Sequence, residues 1–274
     1  MKRKADRYAL IGHPIAHSRS PWIHAQFARQ TRQELRYSAI DVAPKDLPAT
    51  LRDFFAQGGC GLNVTVPHKQ AALALMDTLS EAARIAGAVN TIVREAEGGL
   101  RGENTDGIGL VRDLSCNLGV DVTGRRVLLL GAGGAARGVL APLLALAPSA
   151  LVIANRTAER ARELAQLFAR FGPVHGAGYA QLEPECFELI VNATAAGLQH
   201  EPPPLPVSTL RRAQACYDLA YARGTTQFAL WARECGVARC YTGEGMLVEQ
   251  AAESFLLWRG VRPETAAVLA ALRS

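Results

Sequence analysis

The sequence predicts an α/β protein built on parallel sheets, and three observations carry that prediction. Short apolar runs of strand length alternate with helical stretches along most of the chain. One such alternation, RRVLLLGAGGAARGVL from Arg125 to Leu140, joins strand to helix through a glycine-rich turn. The chain has 274 residues, 49% of them hydrophobic, which is ample for one large domain or two ordinary ones with buried cores.

Taken in order, Tyr8–Gly12, Arg36–Asp41, Gly61–Val66, Thr91–Arg94, Arg126–Leu130, Ala150–Ala154, Leu189–Asn192 and Ala215–Leu219 are expected as strands. Helices are expected over Pro21–Thr31, Leu47–Gln57, Lys69–Met76, Ser80–Ala86, Gly107–Leu118, Ala135–Ala145 and Ala158–Arg170. Leu247, Ala251, Phe255 and Trp258 recur at helical spacing and predict the core face of a late helix. The proline-rich stretch from Glu201 to Pro206 reads as a surface loop.

Composition narrows the function. No apolar run reaches the roughly 20 residues a bilayer span requires. The basic start MKRK leads into a short apolar stretch broken by Gly12-His13-Pro14, a poor signal peptide, so a soluble cytoplasmic protein is expected. The six cysteines are scattered without a CxxC pair and read as reduced thiols, mostly buried. His13, His17 and His24 have no carboxylate or cysteine beside them, so no metal is expected. The net charge of +5 lacks a basic stripe interleaved with aromatics, which argues against nucleic acid and suits a small anionic ligand.

Three stretches carry chemistry. In Gly131-Ala132-Gly133-Gly134-Ala135-Ala136, Gly131 permits a tight turn and Gly133 lets a pyrophosphate approach the backbone. Ala136 is small where helix meets strand, and the helix start offers free N–H groups to phosphate. After the next strand comes Asn155-Arg156-Thr157, with Arg160 a turn later. An acidic residue there would bind the ribose hydroxyls of NAD; two arginines suit the 2′-phosphate of NADP. Asn155 and Thr157 also suit helix capping, and both roles can coexist. In GHPIAHSRSPWIHAQF, Ser20 and Pro21 fit an N-cap and first-turn proline, while Ser18 and Ser20 together fit a carboxylate site at a helix start.

In the third stretch, GLNVTVPHKQA, Pro67 suits the first turn of a helix, which would put Lys69 in that turn. A cation there faces the positive end of the helix dipole, at a cost of about 0.3–1 kcal/mol. An ordinary lysine pKa near 10.4 suits an acid at neutrality poorly. A helix start and partial burial would lower it and a nearby carboxylate would raise it, leaving a tunable acid. Asp106, in GENTDGIGL, reads as such a carboxylate or as an N-cap.

Together these segments resemble the shikimate dehydrogenase family. The resemblance runs through Gly12-His13-Pro14-Ile15-Ala16-His17-Ser18-Arg19-Ser20-Pro21, Asn63-Val64-Thr65-Val66-Pro67-His68-Lys69 and Gly87-Ala88-Val89-Asn90-Thr91. It continues through Gly102-Glu103-Asn104-Thr105-Asp106-Gly107, the glycine-rich turn, Asn155-Arg156-Thr157, Asn192-Ala193-Thr194 and Gly243-Glu244-Gly245-Met246-Leu247-Val248-Glu249-Gln250. It implies NADPH-dependent reduction of 3-dehydroshikimate to shikimate, in chorismate and aromatic amino-acid biosynthesis.

The resemblance also implies roles. Ser18, Ser20 and Tyr221 would hold the substrate carboxylate. Asn63, Thr65, Asn90, Asp106 and Gln250 would surround the ring hydroxyls, and Lys69 would be the catalytic lysine paired with Asp106. Lys69 would act as proton donor or as a charge that positions and polarises the ketone. Thr194 belongs with the glycine-rich turn, Asn155, Arg156, Thr157 and Arg160 among the cofactor residues, and Leu219 and Gly243 would lie near the nicotinamide. Glu81 matches a position sometimes associated with the cofactor and equally suits a solvated helix carboxylate. Ala25, Ala195 and Leu219 depart from the Asn, Ser and Met common in the family, without removing a group of obvious chemical role.

The implied architecture has two domains. An α/β substrate domain would comprise residues 1–105 and 243–274, and a Rossmann-like doubly wound parallel-sheet NADP domain residues 106–242. The partners would be a small-molecule substrate and neither nucleic acid nor membrane, in a monomer or homodimer. The competing readings are a broader quinate/shikimate enzyme using NAD, a catalytically silent NADP-binding regulator, and a methylene-tetrahydrofolate dehydrogenase-like enzyme of similar architecture.

Overall fold

A computed structural model describes residues 5–183, 185–194, 203–222 and 224–273. The chain divides into two compact units, Met1–Gly109 with Leu247–Ser274, and Leu110–Met246. Ala195 and the first residues of the proline-rich stretch lie outside the described residues.

The first unit opens with β1 (Asp6–Gly12), α1 (Ser20–Gln30), β2 (Leu35–Asp41), α2 (Leu47–Ala56) and β3 (Gly59–Val64). It continues with β4 (Thr78–Leu79), α3 (Glu81–Ala86), β5 (Thr91–Arg94), β6 (Leu100–Glu103) and the start of α4 (Asp106–Arg112). Its sheet runs β2-β1-β3-β5-β6-β4. β1 pairs in parallel with β2 and β3, whereas β5 is antiparallel to both β3 and β6. In α2, Leu47, Leu51, Phe54 and Phe55 enter the core at helical spacing.

The expected helix over Lys69–Met76 is instead a 3₁₀ helix over Ala71–Leu75, preceded by a turn containing a cis Val66–Pro67 peptide. The Lys69 carbonyl, which an α-helix would commit to residue 73, accepts from the Val89 N–H, and Leu73 N–H bonds Gln70 instead. The few residues between Pro67 and β4 leave little length to repay α-helix nucleation. Lys69 therefore faces no helix dipole, and the first-turn penalty expected for it does not arise.

The second unit contains β7 (Arg126–Leu130), α5 (Gly134–Ala145), β8 (Ala150–Asn155), α6 (Ala158–Phe168) and β9 (Val174–Gly178). β10 (Leu189–Asn192), β11 (Ala215–Asp218), α7 (Gln227–Glu234) and β12 (Cys240–Tyr241) follow. All its strand pairs are parallel, in the order β12-β11-β10-β7-β8-β9. Counted along the chain this is 3-2-1-4-5-6 from β9, the doubly wound arrangement of dinucleotide-binding sheets. Every residue of β10 and β11 is buried, as strands covered on both faces must be. Leu205, expected on a surface loop, packs into this unit's core, where its apolar side chain leaves water.

The chain returns to the first unit within α8 (Glu244–Arg259) and ends in α9 (Ala266–Arg273). Val248, Ala251, Ala252 and Phe255 of α8 pack with Ile23 and Phe27 of α1 and Val268 and Leu269 of α9. Only Cys216 and Cys240 are buried; Cys116 is exposed and Cys60, Cys186 and Cys235 are half-buried, contrary to the expectation of mostly buried thiols. None forms a disulfide among the described residues.

Candidate active site

Lys69 and Asp106 meet in the first unit, with Lys69 Nζ donating to Asp106 Oδ2 at 2.6 Å. The turn holding Lys69 is pinned on both sides. His68, 1% exposed, bonds the Val42 carbonyl through Nε2, and the Lys69 carbonyl accepts from Val89. Asp106 is the first residue of α4, not its cap, because Gly109 N–H already bonds the Thr105 carbonyl. Its carboxylate is committed to side chains. Asn90 Nδ2 donates to Asp106 Oδ1 at 2.9 Å and to Thr105 Oγ1 at 2.9 Å. The Asn90 side-chain oxygen accepts from the Thr105 backbone N–H. Gln250 reaches the group from α8, with Oε1 3.5 Å from Asn90 Nδ2 and its own amide donating to the Leu247 carbonyl.

Ser18 and Ser20 stand at the start of α1. Arg19 occupies the cap position and Ser20 the first helical residue, one place later than a Ser20 cap requires. Ser18 Oγ accepts from the Ser20 N–H, while Ser20 Oγ and Thr65 Oγ1 bond no other described residue. An exposed pair orders the preceding loop: Asp41 Oδ1 accepts from His13 Nδ1 at 2.6 Å and Oδ2 from the Ile15 N–H. The His13 bond holds the Asp41 carboxyl below the usual range. These hydroxyls beside a helix start can bind an anion.

Asn63 is expected beside a ring hydroxyl, but protein groups already claim its amide. Oδ1 accepts from Tyr37 OH at 2.7 Å, and Nδ2 lies 2.9 Å from Thr91 Oγ1 and 3.0 Å from Ser254 Oγ. Ser254 is absent from the sequence-based set of site residues. Its signal is a polar residue one helical turn beyond Gln250 on an otherwise apolar face. His24 is a packed core histidine, stacked on Tyr37 at 4.1 Å between ring centroids. Burial pushes its pKa down to about 3, the Asn63 amide offsetting part of that fall. No metal-holding cluster exists among the described residues.

The second unit gathers the residues expected at the cofactor. Gly131 has φ +100°, and a Cβ there would lie 3.0 Å from the Ala193 carbonyl oxygen, so the turn closes tightly on the segment after β10. Gly133 differs, since a Cβ there would meet nothing within 4 Å. It caps α5 without a side-chain bond, leaving the N–H groups of Gly134, Ala135 and Ala136 without intrahelical acceptors. Ala132, half-buried, completes the turn. An open glycine before an uncapped helix start fits a pyrophosphate.

At the end of β8, Asn155 Nδ2 donates to the Thr157 carbonyl. Thr157 holds the cap position of α6 without a side-chain cap bond, contrary to a capping hydroxyl. Arg156 and Arg160 are exposed and form no ion pair with a described residue, so their guanidinium groups are free to meet a phosphate. Thr194, Leu219 and Gly243 follow the carboxyl ends of the neighbouring parallel strands β10, β11 and β12. Gly243 N–H donates to the carbonyl of Ala220, next to Leu219.

Two expected residues belong to the other unit from the residues they are grouped with. Half-buried Tyr221 belongs to the second unit, Ser18 and Ser20 to the first. Glu81, in the first unit, is exposed in the first turn of α3, where the helix dipole favours a carboxylate without any ligand.

Three family models match the chain. The shikimate dehydrogenase substrate binding domain matches residues 10–92, Shikimate / quinate 5-dehydrogenase residues 114–196, and the shikimate 5'-dehydrogenase C-terminal domain residues 243–273. The curated shikimate dehydrogenase (NADP(+)) of Methylococcus capsulatus is 54% identical over 98% of this chain and 96% of its own. The crystal structure of an Ael1 enzyme from Pseudomonas putida is 48% identical with a TM-score of 0.91, covering 98% of this chain and 99% of that one. Shikimate 5-dehydrogenase from Thermus thermophilus, solved with NADP(H) and shikimate, is 36% identical with a TM-score of 0.86, covering 98% of both chains.

Proposed function

The chain belongs to the shikimate dehydrogenase family, and on that premise we propose how its residues share the reduction of 3-dehydroshikimate to shikimate. The protein is an NADP-dependent oxidoreductase of aromatic amino-acid biosynthesis. The first unit acts as the substrate domain and the second as the NADP domain.

NADPH, when bound, supplies the hydride that forms the new C–H bond at the ketone carbon and is itself oxidised to NADP+. Lys69 Nζ donates a hydrogen bond to the ketone oxygen, stabilises the negative charge developing there, and gives the proton that completes the hydroxyl. Solvent then reprotonates the amine. Asp106 holds the ammonium in place and, with Asn90 and Gln250, orients the ring hydroxyls. Ser18, Ser20 and Tyr221 bind the carboxylate. Thr65 offers an uncommitted hydroxyl to the ring, whereas the saturated amide of Asn63 supports a framework role behind Asn90. Gly131 to Ala135 receive the pyrophosphate, Asn155, Arg156, Thr157 and Arg160 the 2′-phosphate, and Thr194, Leu219 and Gly243 the nicotinamide end. Glu81 has no part in this scheme. The enzyme works in the cytoplasm as a monomer or homodimer, away from nucleic acid and membranes; no described helix is long and apolar enough to cross a bilayer.

The observation that carries this reading is the 2.6 Å contact between Lys69 and Asp106 beside the Asn90 amide. The test follows NADPH absorbance after adding 3-dehydroshikimate, with NADH in parallel and with quinate plus NADP+ in the reverse direction. Wild type consumes NADPH in preference to NADH, and Lys69→Ala loses at least about a hundredfold in kcat. A wild type that binds NADPH but reduces nothing would leave the silent-regulator reading in its place.

A further inference from the structure

Asp218, at the end of β11, is fully buried, and its carboxylate serves main chain and side chains that lie around the cofactor residues. Asp218 Oδ1 accepts from Asn192 Nδ2 at 3.1 Å and from the Ala220 N–H at 3.1 Å. The Asn192 side-chain oxygen accepts in turn from the Thr194 N–H at 3.1 Å and from Thr194 Oγ1 at 2.7 Å. The same two residues tie the neighbouring backbone: Asn192 O accepts from Leu219 N–H, and Ala220 O from Gly243 N–H. Ala193, between Asn192 and Thr194, carries the carbonyl against which Gly131 closes.

We infer that Asp218 is a positioning residue for NADP(H), acting through Asn192 and Ala220 to fix the backbone at Thr194, Leu219 and Gly243. The inference rests on the cofactor reading above. An ordinary sheet could end its strands here without a buried acid, and burying a carboxylate is costly unless its hydrogen bonds matter. Asp218 Oδ1 makes the bonds to Asn192 and Ala220, while the Thr226 hydroxyl at the cap of α7 also interacts with the carboxylate. Burial raises the carboxyl pKa, and the Thr226 hydroxyl, the Ala220 N–H and the Asn192 amide offset part of the rise. Asparagine at this position would keep an Oδ1 acceptor; alanine would remove it.

The test titrates NADPH by its fluorescence into wild type, Asp218→Ala and Asp218→Asn, with the shikimate KM and a thermal melt in parallel. Asp218→Ala is expected to weaken NADPH binding at least about tenfold, with the shikimate KM within about twofold of wild type. Asp218→Asn is expected to stay within about threefold of wild type for NADPH, a rescue that simple loss of packing does not produce. Unchanged NADPH affinity in Asp218→Ala, or equal losses in both variants, overturns the inference. Should Asp218→Ala not fold, Asn192→Ala breaks the same chain of bonds: a comparable loss supports the inference, and wild-type NADPH affinity overturns it. Failure of wild type itself to bind NADPH would instead remove the cofactor reading and this inference with it.

Discussion

Lys69 and Asp106 form an ion pair largely withdrawn from solvent, with side chains 13% and 5% exposed, and the second carboxylate oxygen is taken by Asn90. Removing one partner leaves the other charge poorly solvated. Lys69→Met is expected to destabilise the fold by a few kcal/mol, below the roughly 3–5 kcal/mol of a fully buried pair because Lys69 keeps some solvent. Lys69→Met with Asp106→Leu should recover part of that loss while remaining inactive. Urea midpoints of the single and double variants read the outcome; a single-variant cost under about 1 kcal/mol would make this an ordinary surface pair.

His24 predicts a pH dependence of stability. Its folded pKa, pushed down to about 3, lies below the unfolded value near 6.5, so between those limits the unfolded chain binds a proton that the folded chain does not. Stability is whole above the upper limit and falls with pH below it, at up to about 1.4 kcal/mol per pH unit from this group. His24→Phe preserves an aromatic ring against Tyr37 and removes the titration. Urea denaturation of both proteins between neutral and acid pH should give a difference that shifts in favour of the variant as pH falls. A pH-independent difference would mean that His24 is not held neutral by burial.

The two glycines of the phosphate turn should respond oppositely to alanine. Gly131→Ala forces a Cβ into a left-handed backbone and against the Ala193 carbonyl, at an expected cost of about 1–3 kcal/mol in stability. Gly133→Ala meets open space, so its melting temperature should stay close to wild type. Its NADPH affinity should fall at least about tenfold, because the methyl group stands where the pyrophosphate approaches. Melting curves and NADPH titrations separate the two effects; intact NADPH binding in Gly133→Ala would count against this turn as the phosphate site.

Arg156 and Arg160 should set the choice of cofactor. A hydrogen bond to a charged group contributes about 1.5–3 kcal/mol, so Arg156→Ala with Arg160→Ala should cut the kcat/KM preference for NADPH over NADH by at least about tenfold. The NADH rate should change little, and NADPH binding should become less sensitive to salt. Parallel losses with both cofactors would show that the arginines do not read the 2′-phosphate.

Much of the second unit is legible in the sequence because its signals are local. Strand, glycine turn and helix from Arg126 to Ala145 sit side by side in the chain, and α5 starts one residue ahead of its expected position. β6, β9, α7, α9 and the two-residue strands β4 and β12 are not among the expected elements. β9 reads VHGAG, with two glycines and little apolar content, and is a strand because it pairs with β8 at the sheet edge. The misread helix at Lys69 fails for a related reason: alanine-rich composition favours helix, but a backbone bond from Val89 and the His68 side-chain bond to the Val42 carbonyl, both far along the chain, hold the turn.

Residue types and their order carried the family, the class of reaction and a candidate set of site side chains. These follow from local pattern and from chemistry that only certain side chains can perform. Which polar groups are already satisfied is settled by folding. Asn63 and Asn90 look alike in the sequence, yet Asn63 spends its amide on Tyr37, Thr91 and Ser254, the last 191 residues away, while Asn90 reaches Asp106. The same holds for Gly131 and Gly133, two residues apart, one pressed against Ala193 and the other open. Hydrogen-bond saturation and free space depend on neighbours brought from distant parts of the chain, and no local window of sequence contains them.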